Sequence, residues 1–160
     1  MSDAVCVDTN IWEYAYVEEL DITDGLTLTC EARTFVADLL GDSGRSIAVS
    51  QYQVIEILDV LRKTRVGEGI RDGLYRLFHT PKCRIVACTD DLVGEAFRLS
   101  KQSGIHIYDY MVALPLRGLV QVIYTADSHF ENEHFQQIAR VVNPLSWVMC
   151  EGQRPRKRAS

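Results

Sequence analysis

Four carboxylates stand where short apolar runs end or where helices should begin: Asp8, Glu56, Asp109 and Asp127. Asp8 closes Ala4-Val5-Cys6-Val7, and Asp127 follows Val120-Gln121-Val122-Ile123-Tyr124-Thr125. Glu56 lies just past Ile47-Ala48-Val49-Ser50, near the start of a predicted helix, and Asp109 follows Ile105-His106-Ile107-Tyr108 and is expected to open another. If the apolar runs are strands of one open sheet, their carboxyl ends line a single crevice, the usual place for a ligand. Carboxylates gathered there repel: two unit charges ~4 Å apart cost about 4 kcal/mol at an effective dielectric near 20. Such a cluster stays ionised only around a cation, and an all-oxygen donor set favours a hard one, Mg²⁺ or Mn²⁺.

The intervening pattern supplies elements able to position these acids. Asp8-Thr9-Asn10 offers capping side chains ahead of a helix over Ile11 to Tyr16. An acidic, polar loop is expected from Glu18 to Gly25, with the region to Thr29 lengthening it near the crevice, then a helix from Cys30 to Leu40 stopped by Gly41. Ile47 to Val49 reads as a strand, and Ser50 as the N-cap of a helix whose buried stripe is Val54, Ile57, Leu58 and Leu61. Glu56 falls to one side of that stripe, in position to face the strand ends. A helix over Ile70 to Phe78, a strand from Arg84 to Cys88 and a capped helix from Thr89 to Ser103 follow, the last ended by Gly104. Pro115 should kink or shorten the next helix, at a cost of roughly 3 kcal/mol if it stayed straight. Val120 to Thr125 and Ile138 to Val142 complete the strands. This alternation predicts an α/β domain of three layers, α/β/α, around a central, mainly parallel sheet of about five strands. Taken singly, each acid also has an ordinary role: Asp109 as a helix cap, Asp127 in a turn, Glu56 on a solvated helix face. Only the four together, from separate elements that the topology would bring to one crevice, point to a metal site.

A chain of 160 residues, 47% of them hydrophobic, suffices for one domain with a real core, expected over residues 1–150, followed by a basic, flexible tail over 151–160. No apolar stretch approaches the ~20 residues of a membrane span, and the N-terminus lacks a secretory pattern, so a cytoplasmic protein is expected. Five scattered cysteines, Cys6, Cys30, Cys83, Cys88 and Cys150, read as reduced thiols. His79, Cys83 and Cys88 suggest zinc only weakly, since no CxxC pair is present. The net charge of -5 opposes indiscriminate nucleic-acid binding, whereas Arg154, Arg156, Lys157 and Arg158 could hold a phosphate backbone.

The chain resembles the PIN-domain family, and within it the small VapC-like toxin ribonucleases. The resemblance is carried by Val5-Cys6-Val7-Asp8-Thr9-Asn10-Ile11, by Ser50 through Glu56, by Ile107-Tyr108-Asp109-Tyr110-Met111-Val112-Ala113, and by Tyr124-Thr125-Ala126-Asp127-Ser128-His129-Phe130 with the ending Val141-Val142-Asn143-Pro144. It spans residue 4 to about 145. It implies a PIN-like fold in which Asp8, Glu56, Asp109 and Asp127 are the catalytic, metal-binding acids. Asn10 and Thr125 then support the first and last acids, with Ser128 a weaker candidate beside the metal. It further implies Mg²⁺- or Mn²⁺-dependent cleavage of RNA, a homodimer, and neutralisation by a small antitoxin that enters the crevice. Pro115, the acidic Glu18 to Thr29 region and the basic tail depart from the toxin pattern.

In the implied mechanism, Asp8 anchors the principal ion, Asp109 and Asp127 complete its site, and Glu56 orients the attacking water or holds a second ion. Other readings are a non-catalytic PIN-like scaffold that binds RNA or protein, or an RNA-processing PIN nuclease without an antitoxin. A phosphotransfer enzyme or receiver domain fits less well. The former wants an aspartate where Asn10 stands, and the latter a lysine at the end of a late strand, where Val120 to Thr125 is followed by Ala126-Asp127-Ser128.

Overall fold

The computed structural model describes residues 3–18, 20, 22–150 and 153–159. Five short strands form one fully parallel sheet: β1 (Asp3–Val7), β2 (Arg45–Ser50), β3 (Cys83–Val86), β4 (Val122–Tyr124) and β5 (Arg140–Val142), in the order β3-β2-β1-β4-β5. Side chains alternate across it, as the twofold period of a strand requires. Val5 and Val7 of β1, with Ile47 and Val49 of β2, join one core. There they meet Ile11 and Trp12 of α1 (Thr9–Tyr16), Leu28 and Val36 of α2 (Gly25–Gly41), Ile57 and Leu61 of α3 (Gln51–Lys63), and Leu74 and Phe78 of α4 (Glu68–Phe78). Cys6, Ala48 and Ile123 point the other way, toward Ala96 and Leu99 of α5 (Asp90–Ser103), Tyr110 to Ala113 of α6 (Ile107–Ala113), and Phe135 of α7 (Glu133–Gln136). The result is the three-layer α/β/α arrangement expected of a PIN-like domain.

The strand order places the switch point of the topology between β1 and β4. From β1 the chain passes to β2 on one side, and the later strands are added on the other, so the loops after β1 and β4 diverge and open a crevice at their carboxyl ends. Asp8 and Asp127 leave the sheet on either side of it. The Asp8 N–H donates to the Tyr124 carbonyl at 2.8 Å, which carries the ladder up to the acid itself.

Several elements begin or end away from their expected positions, for local reasons. The helix expected from Cys30 starts at Gly25, so Gly25 to Thr29 do not lengthen the loop. Leu28 extends the buried stripe of Ala32, Val36 and Leu39 by one turn, and the Thr29 hydroxyl donates to the Gly25 carbonyl at 3.0 Å. Asp109 does not open its helix. It is the third residue of α6, and His106 holds the cap position. Ile105 is buried and its backbone is engaged by serines: Ser100 Oγ donates to its carbonyl at 2.5 Å, and its N–H donates to Ser103 Oγ at 3.1 Å. The chain therefore turns into helix two residues early. Pro115 shortens α6 as its missing N–H demands: the α-helix ends at Ala113 and Leu114–Leu116 continues as a 3-10 turn. Ser50 caps α3, Thr89 caps α5, and Gly104 closes α5 in the left-handed region at φ 75°.

Positions 19 and 21 of the expected loop, and 151, 152 and 160 of the tail, lie outside the described residues. Within the tail, β7 (Arg156–Lys157) pairs antiparallel with β6 (Trp147–Val148), and Lys157 reaches Asp24 at 3.1 Å. Among the described residues, no helix is long and apolar enough to cross a membrane.

Candidate active site

Asp8 is the buried centre of the crevice, with 6% of its surface exposed. Three donors fix both of its oxygens. The Thr9 N–H reaches Oδ1 at 2.8 Å, so the carboxylate also caps α1, where the helix dipole favours negative charge. Asn10 Nδ2 and Thr125 Oγ1 reach Oδ2 at 3.1 and 2.6 Å. Thr125 serves two acids, because its hydroxyl oxygen also accepts the Asp127 N–H at 3.0 Å. Asp127 in turn accepts the His129 N–H at 2.9 Å and caps the 3-10 turn Ser128–Glu131.

Glu56 approaches from α3. Thr9 Oγ1 donates to its Oε2 at 2.5 Å and Tyr52 donates to Oε1 at 3.3 Å. Asp109 comes from α6 on the far face of the sheet, and a ring nitrogen of His129 lies 3.6 Å from its Oδ2 and 3.8 Å from Asp127 Oδ1. The electrostatics join the four acids. Burial raises the Asp8 carboxyl well above the usual range; the Thr125 hydrogen bond opposes this, and Asp109, Glu56 and Asp127 push it further up. Glu56 is raised by burial against the two hydrogen bonds that hold it. The fold thus brings Asp8, Glu56, Asp109, Asp127, Asn10 and Thr125 to one crevice. Ser128 lies beside them, but its hydroxyl contacts Cys150 Sγ at 3.2 Å.

Three contributors are absent from the sequence reading as site residues. Thr9 appears there only as a capping residue, whereas its hydroxyl ties the β1 loop to α3. Glu13, four residues on and therefore on the same face of α1, is pushed up to about 7 by burial and by Glu56. That i, i+4 spacing was readable. His129 stands two residues past Asp127, and only the capped turn aims its ring at the acids.

The residues fit a hard divalent ion. The donors are carboxylate oxygens whose ionised forms disfavour one another, and Asn10 Oδ1 beside them is buried with no hydrogen-bond partner. One oxygen each of Asp109 and Asp127 and one nitrogen of His129 lie within 4.8 Å of one another.

No protein-family model matches the chain, and no curated protein matches it. Solved structures do. VapC20 from Mycobacterium tuberculosis, described as a sarcin-ricin loop cleaving toxin, superposes with a TM-score of 0.61 at 15% identity, over 84% of this chain and 98% of that one. VapBC2 from Rickettsia felis, solved bound to a DNA fragment from its promoter, gives 0.54 at 18% identity, over 88% and 98%. At these identities the likeness is one of fold.

Proposed function

From a chain with the fold of VapC toxins, we propose a divalent-metal-dependent endoribonuclease that acts as the toxin of a VapBC-type toxin-antitoxin pair. The observation that carries the proposal is the buried Asp8, raised by its burial and by three further acids that three other parts of the chain bring to it. So many carboxylates at a switch-point crevice destabilise the metal-free fold, and a bound cation offsets that. The ion is Mg²⁺ or Mn²⁺, held by Asp8, Asp109 and Asp127.

The chain's residues divide the work of phosphodiester hydrolysis. A bound divalent ion supplies charge neutralisation at the phosphate oxygens and a more acidic water. Asp8, restrained by Thr9, Asn10 and Thr125, cannot swing away from the crevice, so its free lone pairs keep one direction. Glu56 is held by Thr9 and Tyr52 and has a raised proton affinity, which suits a carboxylate that takes a proton from the attacking water. RNA, in single strands or structured loops, is the substrate class, and a small antitoxin is the expected inhibitor. The fold shared with the VapBC2 and VapC20 structures supports that assignment. A cytoplasmic site of action belongs to the same proposal.

The test is cleavage of a mixed single-stranded RNA by wild type and Asp109→Asn in Mn²⁺, Mg²⁺ or EDTA. Cleavage that needs the ion and falls at least ~10²-fold in the variant is the expected result. Wild type that neither binds the ion nor cleaves would leave a PIN-like binding scaffold as the better reading.

A homodimer belongs to the same proposal. Ile55 of α3, Val93 and Phe97 of α5 and Tyr108 of α6 are 64%, 42%, 56% and 54% exposed, and Ile55, Val93 and Tyr108 line one apolar groove. Large apolar side chains gathered on one face mark an interaction surface. Ile55→Lys should weaken dimerisation at least ~10-fold by sedimentation equilibrium, the expected size of one buried anchor. A wild type that is monomeric at ~100 μM, far above the range of a standard-sized interface, would refute the dimer.

A further inference from the structure

We propose that His129 is a ligand of the metal site, an imidazole donor that biases the site toward a first-row transition ion such as Mn²⁺ over Mg²⁺; the inference rests on the carboxylate-metal reading above. Two features aim the ring. The Asp127 carboxylate accepts the His129 N–H at 2.9 Å, which folds the chain back over that carboxylate. The next residue, Phe130, is wholly buried and stacks on Phe135, so the turn is anchored on its far side. Held this way, Nδ1 faces two carboxylates from separate elements, 3.6 Å from Asp109 Oδ2 and 3.8 Å from Asp127 Oδ1.

These separations suit a shared ion. Ligands about 2.1 Å from a six-coordinate ion stand roughly 3 Å from their neighbours, so the three donor atoms reach that spacing with shifts of less than about an ångström. The chemistry then distinguishes among ions. Mg²⁺ takes oxygen and sheds its water reluctantly, whereas an imidazole nitrogen is a good donor to transition ions. With its proton on Nε2, the His129 ring presents the Nδ1 lone pair to the ion. With the proton on Nδ1, the same ring would be a hydrogen-bond donor or ion-pair partner to the two acids. The two arrangements predict different spectra.

The experiment loads the full chain with one equivalent of Mn²⁺ and records pulsed electron paramagnetic resonance, with ¹⁴N- and then ¹⁵N-histidine. The expected result is a nitrogen modulation typical of a directly bonded imidazole that changes with the label. His129→Gln should abolish it while Mn²⁺ stays bound, and the preference for Mn²⁺ over Mg²⁺ in competition should fall about 10-fold. Bound Mn²⁺ without nitrogen modulation in the wild type overturns the inference and leaves the carboxylate site standing. Failure of the wild type to bind Mn²⁺ overturns both. Modulation that persists in His129→Gln assigns the nitrogen to another residue and also overturns it.

Discussion

Asp8→Asn should reduce RNA cleavage by about 10³-fold or more while leaving the metal-free fold at pH 8 as stable as wild type, or more so. The two effects separate because, in the proposed reading, Asp8 serves chemistry at a structural cost. In the wild type its carboxylate is buried, receives three hydrogen bonds and is pushed toward the protonated state by burial and by Asp109, Glu56 and Asp127. The protonated acid would carry a donor on one oxygen, and asparagine imitates it: Oδ1 still accepts the Thr9 N–H, and the Thr125 hydroxyl and a turned Asn10 amide, which now donate to Oδ2, can instead accept from the new amide. The variant therefore loses a charge that the apo fold tolerates poorly and keeps most of the local hydrogen bonding. It also loses the proposed carboxylate anchor for an ion, so the rise in melting temperature on adding Mn²⁺ should shrink sharply. The measurements are cleavage rate, and melting temperature with and without metal. A variant that loses activity and also melts well below wild type in EDTA would mean that Asp8 is structural.

In EDTA, stability should fall as the pH rises from 5 to 8, and saturating Mn²⁺ or Mg²⁺ should flatten that slope. Asp8, Glu56 and Glu13 are all raised above their ordinary values in the folded state, Glu13 to about 7. An acid with a raised folded value binds more protons folded than unfolded. Its contribution is therefore fully present below the unfolded value near 4 and is lost as the pH climbs through the folded one. For Glu13 the interval from 4.5 to about 7 corresponds to roughly 3 kcal/mol at most. The surface acids Asp59 and Glu95 are shifted down by Lys63, Arg62 and Arg117, so their contributions vary below this window and do not mask the slope. Glu13→Gln should remove part of the slope and leave the response to metal. A melting temperature that rises from pH 5 to pH 8 in EDTA would contradict a buried acid cluster. These signs are opposite to those of a typical domain, whose carboxylates are stabilised by folding.

Most of the frame was legible in the chain because its signals act over a few residues. Alternating apolar runs and helical stripes mark β1, β2, α3 and α5. Ser50, Thr89 and Gly104 mark helix ends through bonds or dihedral angles that reach no further than one turn. The errors were local as well. Residues Gly25 to Thr29 look like loop until Leu28 is seen to pack, and Asp109 looks like a cap until the bonds of Ser100 and Ser103 to Ile105 are known. In both cases a contact outside the window outweighed the propensity inside it.

The candidate site divides along the same line. That Asp8 and Asp127 follow strand ends is legible in the sequence, because a dry core rejects unpaired carboxylates, whereas Glu56 and Asp109 lie within α3 and α6 and reach the crevice from helix faces. Which other residues complete the crevice was decided by tertiary structure. The Thr9 to Glu56 hydrogen bond spans 47 residues and exists because α1 and α3 pack on the same face of the sheet. The approach of Glu13 to Glu56 has the same origin, and His129 meets Asp109 only where the turn after β4 faces α6. The exposed apolar face of Ile55, Val93 and Tyr108 likewise draws on three helices. Sequence determines which side chains avoid the core; only the packing of distant elements determines which of those side chains face one another.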